Sequence, residues 1–170
     1  MREAAMLTIF PSLMLIAAVS DILTMRIRNR VSVVLVLAFA LLAPFTDMIW
    51  KDYCWHLGSA GCVLIACFGL FALGAMGGGD AKMLAATACW MGPGVALAQY
   101  LVWSAFLGGL LTLALLALRY SPLASAASNT RLLRHVADRK AGIPYGIALG
   151  AAGLMAFPSS PLGAWALAQM

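Results

Sequence analysis

The sequence predicts an all-α polytopic membrane protein of about six transmembrane helices, the fourth of them short. Two observations carry that prediction. Of 170 residues, 64% are hydrophobic and only 10% charged, and mean hydropathy is +0.95; a soluble domain carries about a quarter charged residues. The apolar residues are also gathered into runs near the roughly 20 residues that a helix needs to cross a bilayer. The chain is too short for a membrane region plus a sizeable soluble one, so residues 1–170 are read as a single membrane-embedded domain. The net charge of +5 is dispersed over short loops, as membrane topology asks. It implies the lipid bilayer as a partner and no nucleic acid.

The first span runs from about Ala4 to Met25, with Asp21 inside its last turn or so. Glu3 cancels Arg2, and the apolar run continues past Ala18-Val19-Ser20, so this segment is expected to be an uncleaved span rather than a signal peptide. Arg26-Ile27-Arg28-Asn29-Arg30 ends it. The second span covers Val31 to about Phe45, followed by Asp47, Trp50, Lys51, Asp52, Tyr53, Trp55 and His56, which read as an interfacial belt of aromatic residues and charge.

The third span, about Leu57 to Met76, delivers the chain to Gly77-Gly78-Gly79-Asp80-Ala81-Lys82. The fourth helix is expected over Ala81–Met91, because Pro93 suits the first turn of a new helix. At 1.5 Å per residue it covers roughly 17 Å, about half the hydrocarbon core. Irregular backbone at such depth must be buried in protein or line a wet cavity, so the glycine loop is expected to be enclosed.

The fifth span is about Val95 to Leu118. In the polar stretch after it, residues 130–140 have the pattern of a short basic amphipathic helix, capped by Asn129 and ended by Gly142. The sixth span starts at Ile143-Pro144, where Gly142, Gly146 and Gly150 form a small-residue stripe for close helix packing.

Six spans with an external N-terminus leave three cytoplasmic loops. These hold Arg26, Arg28, Arg30, Lys82, Arg119, Arg131, Arg134, Arg139 and Lys140, nine cations against Arg2 and Lys51 outside. The positive-inside bias sets the orientation. Of the six acidic residues, Glu3, Asp47 and Asp52 fall outside and Asp138 lies in the long loop. Asp21 and Asp80 remain at membrane depth near the cytoplasmic face, where an ionisable residue is a functional-site hypothesis by default.

Two close carboxylates share a proton and titrate as a pair. The ionised member can take a proton from attacking water while the protonated one donates to a carbonyl oxygen, which suits peptide hydrolysis. The dipole of the fourth helix would favour Asp80 as the ionised member and leave Asp21 protonated. Lys82 either holds Asp80 ionised or snorkels to the interface; Asn29 either shapes the turn after Asp21 or caps the second span.

Other hydrolytic devices are missing. There is no H-E-x-x-H, and His56 and His135 fall on opposite sides of the membrane. Gly58-Ser59-Ala60-Gly61 lacks a neighbouring histidine and reads as a tight helix contact. Cys54, Cys62, Cys67 and Cys89 form no C-x-x-C pair, so they are read as buried thiols, with no metal and no cofactor.

These residues resemble the type IV prepilin peptidase family, aspartic membrane proteases with a G-x-G-D motif. Gly77-x-Gly79-Asp80 with Ala81-Lys82-Met83-Leu84 is similar to the second catalytic motif. Asp21 followed by Ile27 and Asn29 is similar to the first, and Ile143-Pro144-Tyr145-Gly146 to the motif opening the last span. Arg28 stands where the family usually has proline, which puts the local turn in question. The resemblance implies catalytic Asp21 and Asp80, with Gly77, Gly79, Lys82 and Asn29 binding substrate or shaping loops. It further implies cleavage of a prepilin leader at the cytoplasmic face of a bacterial inner membrane, just before the pilin's hydrophobic helix. The short form is most similar to the peptidases of tight-adherence (Flp-type) pili, with archaeal preflagellin peptidases as the nearest confusable relatives; the methyltransferase region of the long bifunctional enzymes has no counterpart, so no methylation is expected. The non-enzymatic alternative is a small proton-coupled carrier or assembly scaffold that uses the same carboxylates as a relay.

Overall fold

The computed structural model describes residues 1–121 and 142–170, so the basic helix expected over 130–140 lies outside the described residues. All regular structure among the described residues is helical. Helix α1 is Arg2–Thr24, α2 is Asn29–Leu42 with a 3₁₀ turn Ala43–Phe45, and α3 is Trp50–Ala72. They are followed by α4 Gly78–Met91, α5 Val95–Arg119, α6 Gly146–Ala156, a 3₁₀ turn Phe157–Ser159, and α7 Pro161–Ala168.

Three helices, α1, α3 and α5, are long and apolar enough to cross a membrane, or four if α6 and α7 count as one span bent by 56°. That is fewer than the six expected, and the chain is an integral membrane protein on this smaller count. The shortfall has local causes. Pro44 ends the second run, and α2 with its 3₁₀ turn reaches only Asn29–Phe45. Helix α4, at 14 residues, measures about 21 Å. In the last run, Pro161 starts α7 at its first turn and the Ser160 hydroxyl caps it by accepting from Gly163 N–H at 3.0 Å, so the chain turns there.

Helix α3 also differs from expectation. Its first turns contain the aromatic cluster, which therefore forms no loop, and it stops at Ala72 rather than Met76. The stop is a glycine-capped one. Gly74 adopts φ +73, its N–H donates to Phe71 O at 2.9 Å, and Ala75 N–H reaches back to Leu70 O at 2.9 Å. This is the Schellman pairing, which only a left-handed residue permits cheaply.

Helix α4 is the centre of the bundle. Ala81 and every residue from Met83 to Met91 are buried, as suits a helix that is apolar all round. Trp90 is fully buried and donates from Nε1 to Leu35 O on α2 at 3.0 Å. Phe10 of α1 lies 5.1 Å from the Trp90 ring and stacks on Phe157 at 4.4 Å. Between helices in lipid such packing, not water exclusion, supplies the cohesion, and aromatic pairs of this kind contribute about 0.5–1.5 kcal/mol each. The helix ends where expected, at Gly92, whose φ of +64 lies in the left-handed region and whose missing side chain leaves room for the His56 ring.

The small-residue stripe of α6 faces α1. A Cβ at Gly146 would stand 2.7 Å from Asp21 Cβ, at Gly150 2.9 Å from Met14 O, and at Gly153 2.7 Å from Met14 Sδ. Gly142 is no part of it, because a Cβ there would meet nothing within 4 Å among the described residues. Gly58 and Gly61 likewise meet nothing within 4 Å, so the tight contact expected at Gly58–Gly61 is absent; Ala60 alone faces the core there. Of the thiols, Cys67 and Cys89 are buried, but Cys54 and Cys62 are exposed because they sit on the outward side of α3.

Candidate active site

The carboxylates selected from the sequence come together at one end of the bundle. Asp21, in the last turn of α1, is buried at 5% exposure. Asp80 occupies the first turn of α4, half-buried and within electrostatic reach of Asp21. Three connections position them: the α1–α2 link, the α3–α4 loop and the start of α6.

The α1–α2 link is short and tied down. Met25 closes α1 in the left-handed conformation (φ 53, ψ 32), and its N–H donates to Asp21 O at 2.8 Å. The Thr24 and Ser20 hydroxyls donate to Arg26 O at 3.2 and 3.4 Å. Ile27 then turns inward and is buried, lying against Gly79, where an added Cβ would come within 3.4 Å of Ile27 Cβ. The isoleucine of the first motif therefore seats on the second glycine of the other motif. Arg28 has φ −68 and ψ 130, essentially the φ that a proline ring enforces. The backbone at Arg28 is thus compatible with the proline that the family pattern has there. Replacing Arg28 by proline is expected to be tolerated and to raise stability by about 0.4–1 kcal/mol through the unfolded chain, measured as thermal unfolding in detergent; a clear loss of stability would contradict this account of the link.

Gly77 caps α4 with φ −72 and ψ 141, and Asp80 in the first turn sits at the positive end of the helix. A Cβ on Gly77 would stand 2.8 Å from Asp80 Oδ2, so the glycine keeps space for the acid. Gly74, Ala75 and Gly77 are exposed, contrary to the enclosed loop expected. The reason is that α3 ends and α4 begins at this end, which leaves the loop at the rim of the bundle rather than inside it.

The third connection is the one the sequence reading missed as a site component. Gly146 opens α6, and its N–H donates to Asp21 Oδ2 at 2.6 Å. It is one of the helix-start donors that has no partner within the helix. The neighbouring Tyr145 lays its ring against Gly108 of α5, where a Cβ would meet Tyr145 Cε1 at 3.0 Å, and its hydroxyl pairs with Thr112 Oγ1 at 3.0 Å. Arg119 donates to Gly142 O at 2.7 Å. Helix α5 thus holds the segment that presents an amide to Asp21. Asp21 lies at the start of α6 and Asp80 in the first turn of α4, so the helix dipole does not single out Asp80 as the ionised member. The motif Ile143-Pro144-Tyr145-Gly146 was visible in the sequence; its bearing on Asp21 depends on a contact spanning 125 positions.

Lys82 and Asn29 meet each other instead of the carboxylates. Lys82 Nζ donates to Asn29 Oδ1 at 3.2 Å, clipping the first turn of α4 to the start of α2. No ion pair joins Lys82 to Asp80 among the described residues, and Asn29 is the first residue of α2 and not its side-chain cap. His56 lies far along α3, with its Nδ1 2.7 Å from Cys89 O, and takes no part at this end.

The chemistry open to this arrangement is acid–base work by two neighbouring carboxylates, with a backbone donor on Asp21 and an exposed rim beside them. A family model for the type IV leader peptidase family matches residues 8–117, a stretch that contains Asp21, the glycine loop and Asp80. No curated protein and no solved structure matches the chain. Family match, paired carboxylates and the three motifs that bring them together agree, and the chain belongs to the type IV leader peptidase family.

Proposed function

We propose that the chain is an intramembrane aspartic endopeptidase that removes the leader from Flp-type prepilins, with Asp21 and Asp80 as the catalytic pair. The observation that carries this reading is the convergence of the two carboxylates at one end of the bundle, within electrostatic reach of each other, with Asp21 accepting from Gly146 N–H. One aspartate takes a proton from water as it attacks the scissile carbonyl, and the other donates to the carbonyl oxygen and then to the leaving amine. Gly77 and Gly79 shape the loop by leaving room for the Asp80 carboxylate and for Ile27, and Lys82 and Asn29 shape it through their mutual hydrogen bond.

In the topology that accompanies this reading, six helices traverse or enter the bilayer, with the N-terminus outside and the carboxylates facing the cytoplasm of a bacterial inner membrane. The nine-to-two distribution of Lys and Arg supports that orientation. No methyltransferase activity and no cofactor belong to the proposal. Co-expression with a Flp-type prepilin tests it: the mature pilin is expected to begin immediately before its hydrophobic helix, read as an N-terminal mass. A prepilin that keeps its leader in the presence of the correctly inserted protein would contradict the reading.

A further inference from the structure

Two helical turns behind the carboxylate pair, the core of the bundle carries a second polar layer. Met14 stands seven residues before Asp21 on α1, and Thr87 seven residues after Asp80 on α4. Seven residues make almost two full turns, so each lies on the same face as its aspartate, about 10 Å along the helix. Thr87 Oγ1 and Met14 Sδ meet across the bundle at 4.0 Å. Helix α5 completes the layer. Tyr100 and Ser104, one turn apart, belong to its buried face, and Tyr100 has Thr87 and Ser104 as polar neighbours.

These hydroxyls are enclosed but poorly paired. Thr87 and Tyr100 are 0% exposed and Ser104 8%. Neither Tyr100 Oη nor Ser104 Oγ has a hydrogen-bond partner among the described residues, and Thr87 Oγ1 is turned to a sulfur, a weak acceptor. Buried hydroxyls are normally paired, so neighbouring ones left open in a core point to a molecule that pairs them.

The chemistry selects that molecule. Three hydroxyls bring no charge, and each can both donate and accept, which suits a small neutral ligand that does the same. Water has those properties, takes two to four polar partners when internal, and bridges groups that do not bond directly. The buried side chains of Met14 and Cys67 also border the layer. Tyr100 lies within electrostatic reach of Asp80 as well, so the layer adjoins the carboxylate end of the core.

We propose that the Thr87, Tyr100 and Ser104 hydroxyls form an internal water-binding site in the core of the bundle, one layer behind Asp80. The inference is independent of the peptidase reading, and its test uses no substrate. Water-edited solid-state NMR on the full chain in lipid bilayers reads, residue by residue, how fast water protons pass magnetisation to the protein. In the native chain, the Thr87 and Ser104 side chains are expected to receive it nearly as fast as Gly74 at the exposed rim. They should run well ahead of Leu35, which is equally buried but carries no hydroxyl. The double variant Tyr100→Phe, Ser104→Ala removes two hydroxyl oxygens and no carbon atom, and transfer to Thr87 is expected to fall to the Leu35 level. Thr87 and Ser104 receiving no faster than Leu35 in the native chain would mean a dry core and overturns the proposal. Undiminished transfer to Thr87 in the folded double variant overturns it too, because the water would then be held by other groups.

Discussion

Asp80→Asn, or Asp21→Asn, is expected to cleave a prepilin at least about 10³-fold more slowly than the native chain while inserting and unfolding as it does. The size follows from the chemistry. General acid or base catalysis by one positioned group contributes about 10²–10⁴-fold, and groups that act as a unit lose most of the effect when either is removed. The substitution is also narrow. Asparagine keeps the shape and an acceptor oxygen, so Asp21→Asn can still accept from Gly146 N–H. What it removes is the exchangeable proton. Initial rates on a detergent-solubilised prepilin, followed by the size shift on a gel, measure the effect beside an unfolding curve for each variant.

Gly146→Ala is expected to be the most damaging change of a residue that carries no functional group. An added Cβ would stand 2.7 Å from Asp21 Cβ and 2.9 Å from its Oδ2, closer than real side chains approach. Either Asp21 swings away or α6 moves off α1, and in both cases the 2.6 Å hydrogen bond to Asp21 is lost. Displacing a reacting group by about 1 Å costs about 10²-fold in rate, and overpacking a helix contact costs about 1–3 kcal/mol. Gly142→Ala is the matched control, since a Cβ there meets nothing within 4 Å, and it should leave rate and stability unchanged. If Gly146→Ala cleaved at the native rate, the amide would have no part in holding Asp21.

What could be read from the sequence was what local chemistry decides. Gly92-Pro93 stops α4 at Met91 as expected, because a left-handed glycine followed by proline cannot continue a helix. Span counting selected Asp21 and Asp80 from six acidic residues, and the fold brings these two within electrostatic reach. The glycines of α6 were recognised as a close-approach stripe, although its register is Gly146, Gly150 and Gly153 rather than one beginning at Gly142.

The misses concern contacts between distant segments. Lys82 bonds Asn29, a partner that no local pattern reveals. The same holds for Gly146 and Asp21, and for Gly92 seated against the His56 ring. The bend between α6 and α7 is different. Pro158, Ser160 and Pro161 flank it in the sequence, and a serine cap followed by proline is a helix-start signal; the apolar character of the run masked it. The length of α4 alone does not fix the position of the glycine loop, because the early stop of α3 at Ala72, capped by Gly74, sets it at the rim.

The central claim is that the two aspartates act as one device. Cleavage by the native chain, Asp21→Asn, Asp80→Asn and the double variant, measured side by side in the same membranes, tests it most directly. If the carboxylates form a single acid–base pair, each single variant is as inactive as the double one, because the partner has no role alone. Native-rate cleavage by either single variant, or losses that simply multiply in the double variant, would contradict it.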